Sequence, residues 1–235
     1  MARNANTRYF NARLTKAEII AGWCYLPFYL VLLSVLLQHL FLALQIPLDS
    51  IVLNIAYFSV NLAAVLLIFH NFLRQRFFGE SFWEFLQACI LGFVFYQAGT
   101  WAVQFAVTKL GGTLEIYNND TVEGMVLQNR YVMLAISVVL APVIEETLLR
   151  GLVFGSIRAA SRPMAYITSI FIFTMMHNWQ YFGLYSFGSM LLSCLAYVPA
   201  SAALCWTYEK AGTIWAPITI HAIINAISFG IVVLP

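Results

Sequence analysis

Two adjacent acids, an arginine and two histidines lie inside stretches of this chain that are otherwise apolar. The run Pro142–Gly151, PVIEETLLRG, holds Glu145, Glu146 and Arg150; His177 follows Phe173 by four residues, and His221 precedes Asn225 by four. The chemistry such a set supports is hydrolysis. A carboxylate or imidazole takes a proton from water, and a second group returns one to the leaving amine. Imidazole and amide N–H groups hold the oxyanion that forms. The same residues offer another arrangement, in which Glu145, His177 and His221 ligate a zinc ion. Spacing alone leaves the two mechanisms open.

Helical geometry separates the charged residues. Glu146 and Arg150 are four apart, so they share a face, with the acid toward the N-terminus as a stable pair requires. Glu145 is turned by about 100° from Glu146 and points elsewhere. Pro142, one turn earlier, leaves the Val138 carbonyl without its usual amide partner and kinks the helix just before the acids. Each charge costs roughly 2.5–3.5 kcal/mol at the centre of a membrane helix, so all three must face protein or trapped water. A buried ion network accounts for Glu146 and Arg150. For Glu145, which has no such partner on its own helix, a place in a buried network and a part in the chemistry both stay open. His39 and His70 fall near the ends of apolar stretches, where an amphipathic ring is ordinary. Cys24, Cys89, Cys194 and Cys205 lie in apolar stretches without a CxxC pair, which argues against a thiolate zinc site or a disulfide framework.

The elements that must position these residues are membrane helices. Of 235 residues, 62% are hydrophobic and 9% charged, and mean hydropathy is +0.82. Such a chain lacks the polar groups to cover a water-facing surface, so lipid must cover it. The net charge of +2 comes without a long basic run, so nucleic acid is not an expected partner. Seven stretches are long enough to cross a bilayer: Gly22–Leu44, Ile51–Phe69, Phe82–Val107, Tyr131–Gly155, Pro163–Gln180, Leu184–Tyr208 and Ile214–Val233. Thr15-x-x-Glu18 and Ser81-x-x-Glu84 are capping-box patterns ahead of the first and third. Ser161-Arg162-Pro163 suits the start of the fifth. The expected fold is an all-α, multi-pass bundle forming one membrane domain over 1–235, placed in the cell membrane.

With residues 130–230 in mind, the order EExxxR, FxxxH, HxxxN is similar to the CPBP family, the CAAX protease and bacteriocin-processing intramembrane proteases. Here the motifs read Glu145-Glu146-x-x-x-Arg150, Phe173-x-x-x-His177 and His221-x-x-x-Asn225. Residues 1–129 carry no recognised motif. The resemblance implies that Glu145 activates water with help from His177, that His221 and Asn225 hold the oxyanion, and that Glu146, Arg150 and Phe173 support the site. It also implies a metal-free route, although the family was long grouped with metalloproteases and zinc on Glu145, His177 and His221 is the competing ligand set. Relatives often have eight transmembrane helices, against seven stretches here. At 1.5 Å per residue, Glu145 and His221 fall about 10 Å from the inner face and His177 nearer 20 Å, so the fifth span must tilt or start deep.

The leading reading is an intramembrane endopeptidase whose substrate is a membrane-associated peptide or protein. The alternative is a non-catalytic membrane partner acting in bacteriocin self-immunity or in regulating a membrane sensor. A transporter would also bury charges, but no internal repeat or paired broken helices support one. The N-terminal segment is polar for too long to be a signal peptide, so the first apolar run is expected to remain as a span. With the N-terminus cytoplasmic, the inner segments hold nine of the lysines and arginines (Arg3, Arg8, Arg13, Lys16, Arg74, Arg76, Arg158, Arg162 and Lys210). The outer segments hold Lys109 and Arg130, a split that follows the positive-inside rule. A reporter fused after Pro235 is therefore expected on the outer side, and a cytoplasmic reporter overturns this orientation.

Overall fold

The computed structural model describes Phe10 and residues 12–233; Arg3 and Arg8, counted above toward the inner side, lie outside the described residues. Nine helices occur among those residues and no strand. In chain order they are α1 Lys16–Ala43, α2 Ser50–Ile68, α3 His70–Leu73, α4 Phe82–Lys109, α5 Tyr117–Gln128, α6 Arg130–Arg158, α7 Arg162–Asn178, α8 Phe187–Ala211 and α9 Trp215–Val233. By length and composition, α1, α2, α4, α6 and α8 can each cross a membrane. The other two expected spans correspond to α7, with 17 residues, and to the apolar part of α9, Trp215–Gly230. At 1.5 Å per residue, α7 is about 25 Å long, short of a ~30 Å hydrocarbon core. The fold is an all-α membrane bundle.

The starts follow their local signals. Thr15 and Glu18 form a complete capping box, which moves the start of α1 back to Lys16 from the Gly22 of the apolar run. Ser81 accepts from the Glu84 amide, and Ser161 caps α7 with Pro163 in the first turn. The segment 110–129, between the third and fourth apolar stretches, contains α5. Its sequence is polar, so no apolar run announces it. Tertiary contacts hold it: Tyr117 stacks on Tyr185 at 3.7 Å, Thr121 shares a 2.7 Å hydrogen bond with Tyr181, and the Asn54 amide reaches Met125 Sδ at 3.3 Å.

Helix α6 is the centre of the bundle. More than half of its most apolar window is buried (56%), against 11% for α2 and α4, which face outward. Its Ile144, Leu148 and Leu152 are fully buried against Tyr29 of α1, Phe69 after α2 and Phe72 of α3. Two glycines permit the close approach. A Cβ on Gly22 would lie 2.6 Å from the Phe69 ring, and one on Gly151 would lie 2.7 Å from the Phe72 ring. The outward faces expose Leu67, Trp101, Phe171 and Leu191, as a lipid-facing surface should.

The segments assigned to the inner side gather at one end. Arg13 pairs with Glu80 at 2.8 Å, while Arg158 and Arg162 share Glu209. Gln75 accepts from the Ile214 amide through its side chain and from the Trp215 indole through its carbonyl. Glu18 is the buried fastening at this end. Its Oε2 accepts from the Thr15 amide and hydroxyl, both at 2.8 Å, and its Oε1 accepts from the Phe72 amide at 2.7 Å. Glu18→Ala removes the cap and strands a buried amide. We expect a loss of about 2–4 kcal/mol, read as a lower unfolding temperature in detergent micelles; an unchanged temperature contradicts the fastening role.

Candidate active site

The site is built where α6 is least regular. Residues Ile136–Leu140 and Thr147–Phe154 are wound as π-helix, and between them lies the turn bearing Pro142, Glu145 and Glu146. Single π turns often mark functional sites because they re-aim side chains. The proline has a further effect. The Ala141 amide bonds the Ile136 carbonyl five residues back, and in that register the amide missing at Pro142 is the one owed to Ser137. The side-chain amide of Asn225 supplies the replacement, donating to the Ser137 carbonyl at 2.8 Å. The carbonyl freed by the proline is thus Ser137 rather than the Val138 expected for an α-helix. The π winding shifts the register by one residue.

Glu146 is the hub. Its Oε1 accepts from Arg150 Nη1 at 3.0 Å and lies 2.7 Å from His221 Nδ1. Arg150 is fully buried; its Nη2 donates to the Ser201 hydroxyl at 2.9 Å and to the Ser201 carbonyl at 3.2 Å. Its guanidinium also sits over the Phe173 ring, 4.5 Å from the centroid, a cation–π contact strengthened by the burial of both side chains. The expected ion pair at i, i+4 is present, and it is extended across helices to α7, α8 and α9.

Glu145 is placed differently. It is buried, its Oε2 has no hydrogen-bond partner among the described residues, and His221 Nε2 is 3.9 Å away. That separation is too long for a direct hydrogen bond and suits one water bonded to both atoms. The free carboxylate agrees with the rotation that sets Glu145 apart from Arg150. Because His221 Nδ1 meets a carboxylate, it carries a proton and donates.

His177 Nδ1 lies 2.8 Å from the Phe173 carbonyl one turn back, and so donates to it; Nε2 is left to act. Its ring stacks on Tyr197 at 4.6 Å and leans on Phe173 at 4.5 Å. Among the described residues no hydrogen bond or ion pair joins Glu145 directly to His177. Phe173 lies against both Arg150 and His221, its ring centroid 4.5 Å from the guanidinium carbon and 6.0 Å from the His221 ring.

Several residues were not singled out from the sequence. Ser201 and Tyr197, four apart on α8, share a face and serve Arg150 and His177. Their spacing could have flagged them only once a partner was known. Tyr29 and Tyr57, from helices without a motif, pack in the same core cluster as Ile144 and Phe173. The Tyr57 hydroxyl donates to the Tyr29 carbonyl at 2.7 Å, and the Tyr29 hydroxyl contacts Met176 Sδ at 3.2 Å. For zinc, the test is convergence. Among the described residues no three His, Cys, Asp or Glu side chains converge on a point where a metal could sit. Glu145, His177 and His221 do not form such a set here.

Comparison with known proteins bears on the same segment. Residues 127–227 match the model of a family described as type II CAAX prenyl endopeptidase Rce1-like. The match takes in all three motifs and agrees with the resemblance to the CPBP family. No curated protein and no solved structure matches the chain.

The hub makes a stability prediction. Arg150→Ala leaves Glu146 buried with a missing partner and should lose about 3–5 kcal/mol. Ser201→Ala removes one hydrogen bond to a charged group and should lose roughly 1–3 kcal/mol. Unfolding in micelles should rank them in that order, and the reverse order contradicts the hub.

Proposed function

We propose that this protein, Rce1-like over residues 127–227, is an intramembrane endopeptidase of the CPBP type that hydrolyses a peptide bond of a membrane-associated protein or peptide. The observation that carries this reading is the buried carboxyl of Glu145, whose Oε2 has no hydrogen-bond partner among the described residues and lies 3.9 Å from His221 Nε2. The four groups Glu145, Glu146, Arg150 and His221 are electrically neutral together when one proton is shared between Glu145 and His221. With that proton on His221, Nε2 is a donor and Glu145 a base.

The reaction then runs through this chain's own groups. A water lodged between Glu145 and His221 gives a proton to Glu145 while its oxygen bonds to the peptide carbonyl carbon. The carbonyl π electrons move to oxygen, and the oxyanion receives hydrogen bonds from His221 Nε2–H and from the Asn225 amide hydrogen not spent on Ser137. Glu145 passes its proton to the nitrogen as the C–N bond breaks, releasing amine and acid. His177 assists Glu145 through the water network rather than by contact. Glu146 and Arg150 hold His221 in orientation, and Phe173 packs between the two histidines. No cofactor enters this route.

The test uses purified full-length protein with membrane-associated peptides, including a prenylated CAAX peptide and an unprenylated leader-type peptide, products being read by mass spectrometry. Glu145→Gln, which preserves size, should reduce cleavage by about 10²–10⁴-fold without lowering stability. Equal rates for the two proteins remove Glu145 from the mechanism. Full biological function of Glu145→Gln cells would favour the non-catalytic membrane partner. Chelator treatment with elemental analysis addresses zinc.

A further inference from the structure

We propose that the groove between α4, α7 and α8, at the arginine-rich end of the bundle, binds one anionic phospholipid. It has a volume of about 430 Å³ and is lined by Phe95, Arg162, Pro163, Tyr166, Ala202 and Trp206. The lining is graded along the helix axis. Arg162 lines the groove, and Lys210, just outside the lining, holds its Nζ 5.8 Å from the ring of the lining Trp206. From Lys210 to Ala202 is eight residues of one helix, about 12 Å, so the groove has cations at one end and an apolar wall below.

The charges at the mouth are unbalanced. Glu209 accepts from Arg158 Nε at 2.6 Å, from Arg162 Nη2 at 2.8 Å and from the Tyr166 hydroxyl at 2.9 Å. One carboxylate thus faces two guanidiniums, and Lys210 adds a third cation with no hydrogen bond or ion pair among the described residues. Arg162 uses Nε and Nη2 on Glu209, and its guanidinium carbon lies 5.7 Å from the Tyr166 ring centroid. A free anion would match these cations but not the wall of Phe95, Trp206 and Ala202. A neutral lipid would match the wall but not the cations. A phosphate ester carrying net negative charge and an acyl chain matches both, and tryptophan beside lysine and arginine is the usual composition at a bilayer boundary.

Trp206 supplies the reporter. Full-length protein in micelles is titrated with phosphatidylglycerol brominated in its acyl chains, and separately with phosphatidylcholine bearing the same chains. Saturable quenching of tryptophan fluorescence is expected, with half-saturation about fivefold lower for phosphatidylglycerol. The saturable part should vanish in Trp206→Phe. Lys210→Gln should move the phosphatidylglycerol curve about fivefold toward that of phosphatidylcholine. Coincident curves for the two lipids, or full quenching in Trp206→Phe, overturn the proposal. So does displacement by inorganic phosphate beyond that by chloride at equal ionic strength, which would make this a site for free phosphate.

Discussion

One carboxylate oxygen, Glu146 Oε1, meets Arg150 Nη1 and His221 Nδ1 together, and the three motif-bearing helices are keyed to each other through it. From Arg150 the connection continues to Ser201 on α8 and to the Phe173 ring on α7. In a membrane interior there is no water to take over a lost partner, so each of these buried groups depends on the rest. A hydrophobic replacement of the whole set would pack more cheaply. What the ionic version adds is direction: it fixes which ring nitrogen of His221 faces Glu146 and therefore which one faces Glu145.

The two adjacent glutamates divide along the helix circumference. Glu146 meets two donors through Oε1, whereas no hydrogen bond reaches Glu145 Oε2 among the described residues; Glu146 Oε2 is likewise buried without a partner there. The helix carrying them is wound loosely on either side, and Asn225 occupies the carbonyl that the proline leaves open. That single bond sets the height of α9 against α6 at one point, and His221 with Glu146 sets it at another. Two contacts one turn apart fix both the slide and the rotation of a helix.

The regions without a motif are not passive. Helix α1 reaches the site with Tyr29, and α2 braces that tyrosine through Tyr57. Glu18 ties the start of α1 to the backbone after α2, beneath the Phe72 ring that fills the space left by Gly151. On the opposite side of the bundle, α5 is held by ring stacking on the loop between α7 and α8. These elements enclose the polar cluster in apolar and aromatic walls, which strengthens its electrostatics.

The sequence by itself determined the membrane environment, the helices and the motif residues. Those follow from local quantities: apolar run length, capping patterns, and ionisable groups where lipid forbids them without a partner. The pairing of Glu146 with Arg150 was legible too, because both sit on one helix at a spacing that survives local rewinding. Tertiary structure alone decided that Glu146 also holds His221, that Asn225 spends a hydrogen on Ser137, and that the Phe173 ring lies against both Arg150 and His221. It also decided that Ser201 bonds Arg150, that Tyr197 stacks on His177 and that α5 is a helix. These depend on the relative rotation and slide of different helices. No spacing within one helix encodes them; they emerge when buried polar groups on several helices must all find partners at once.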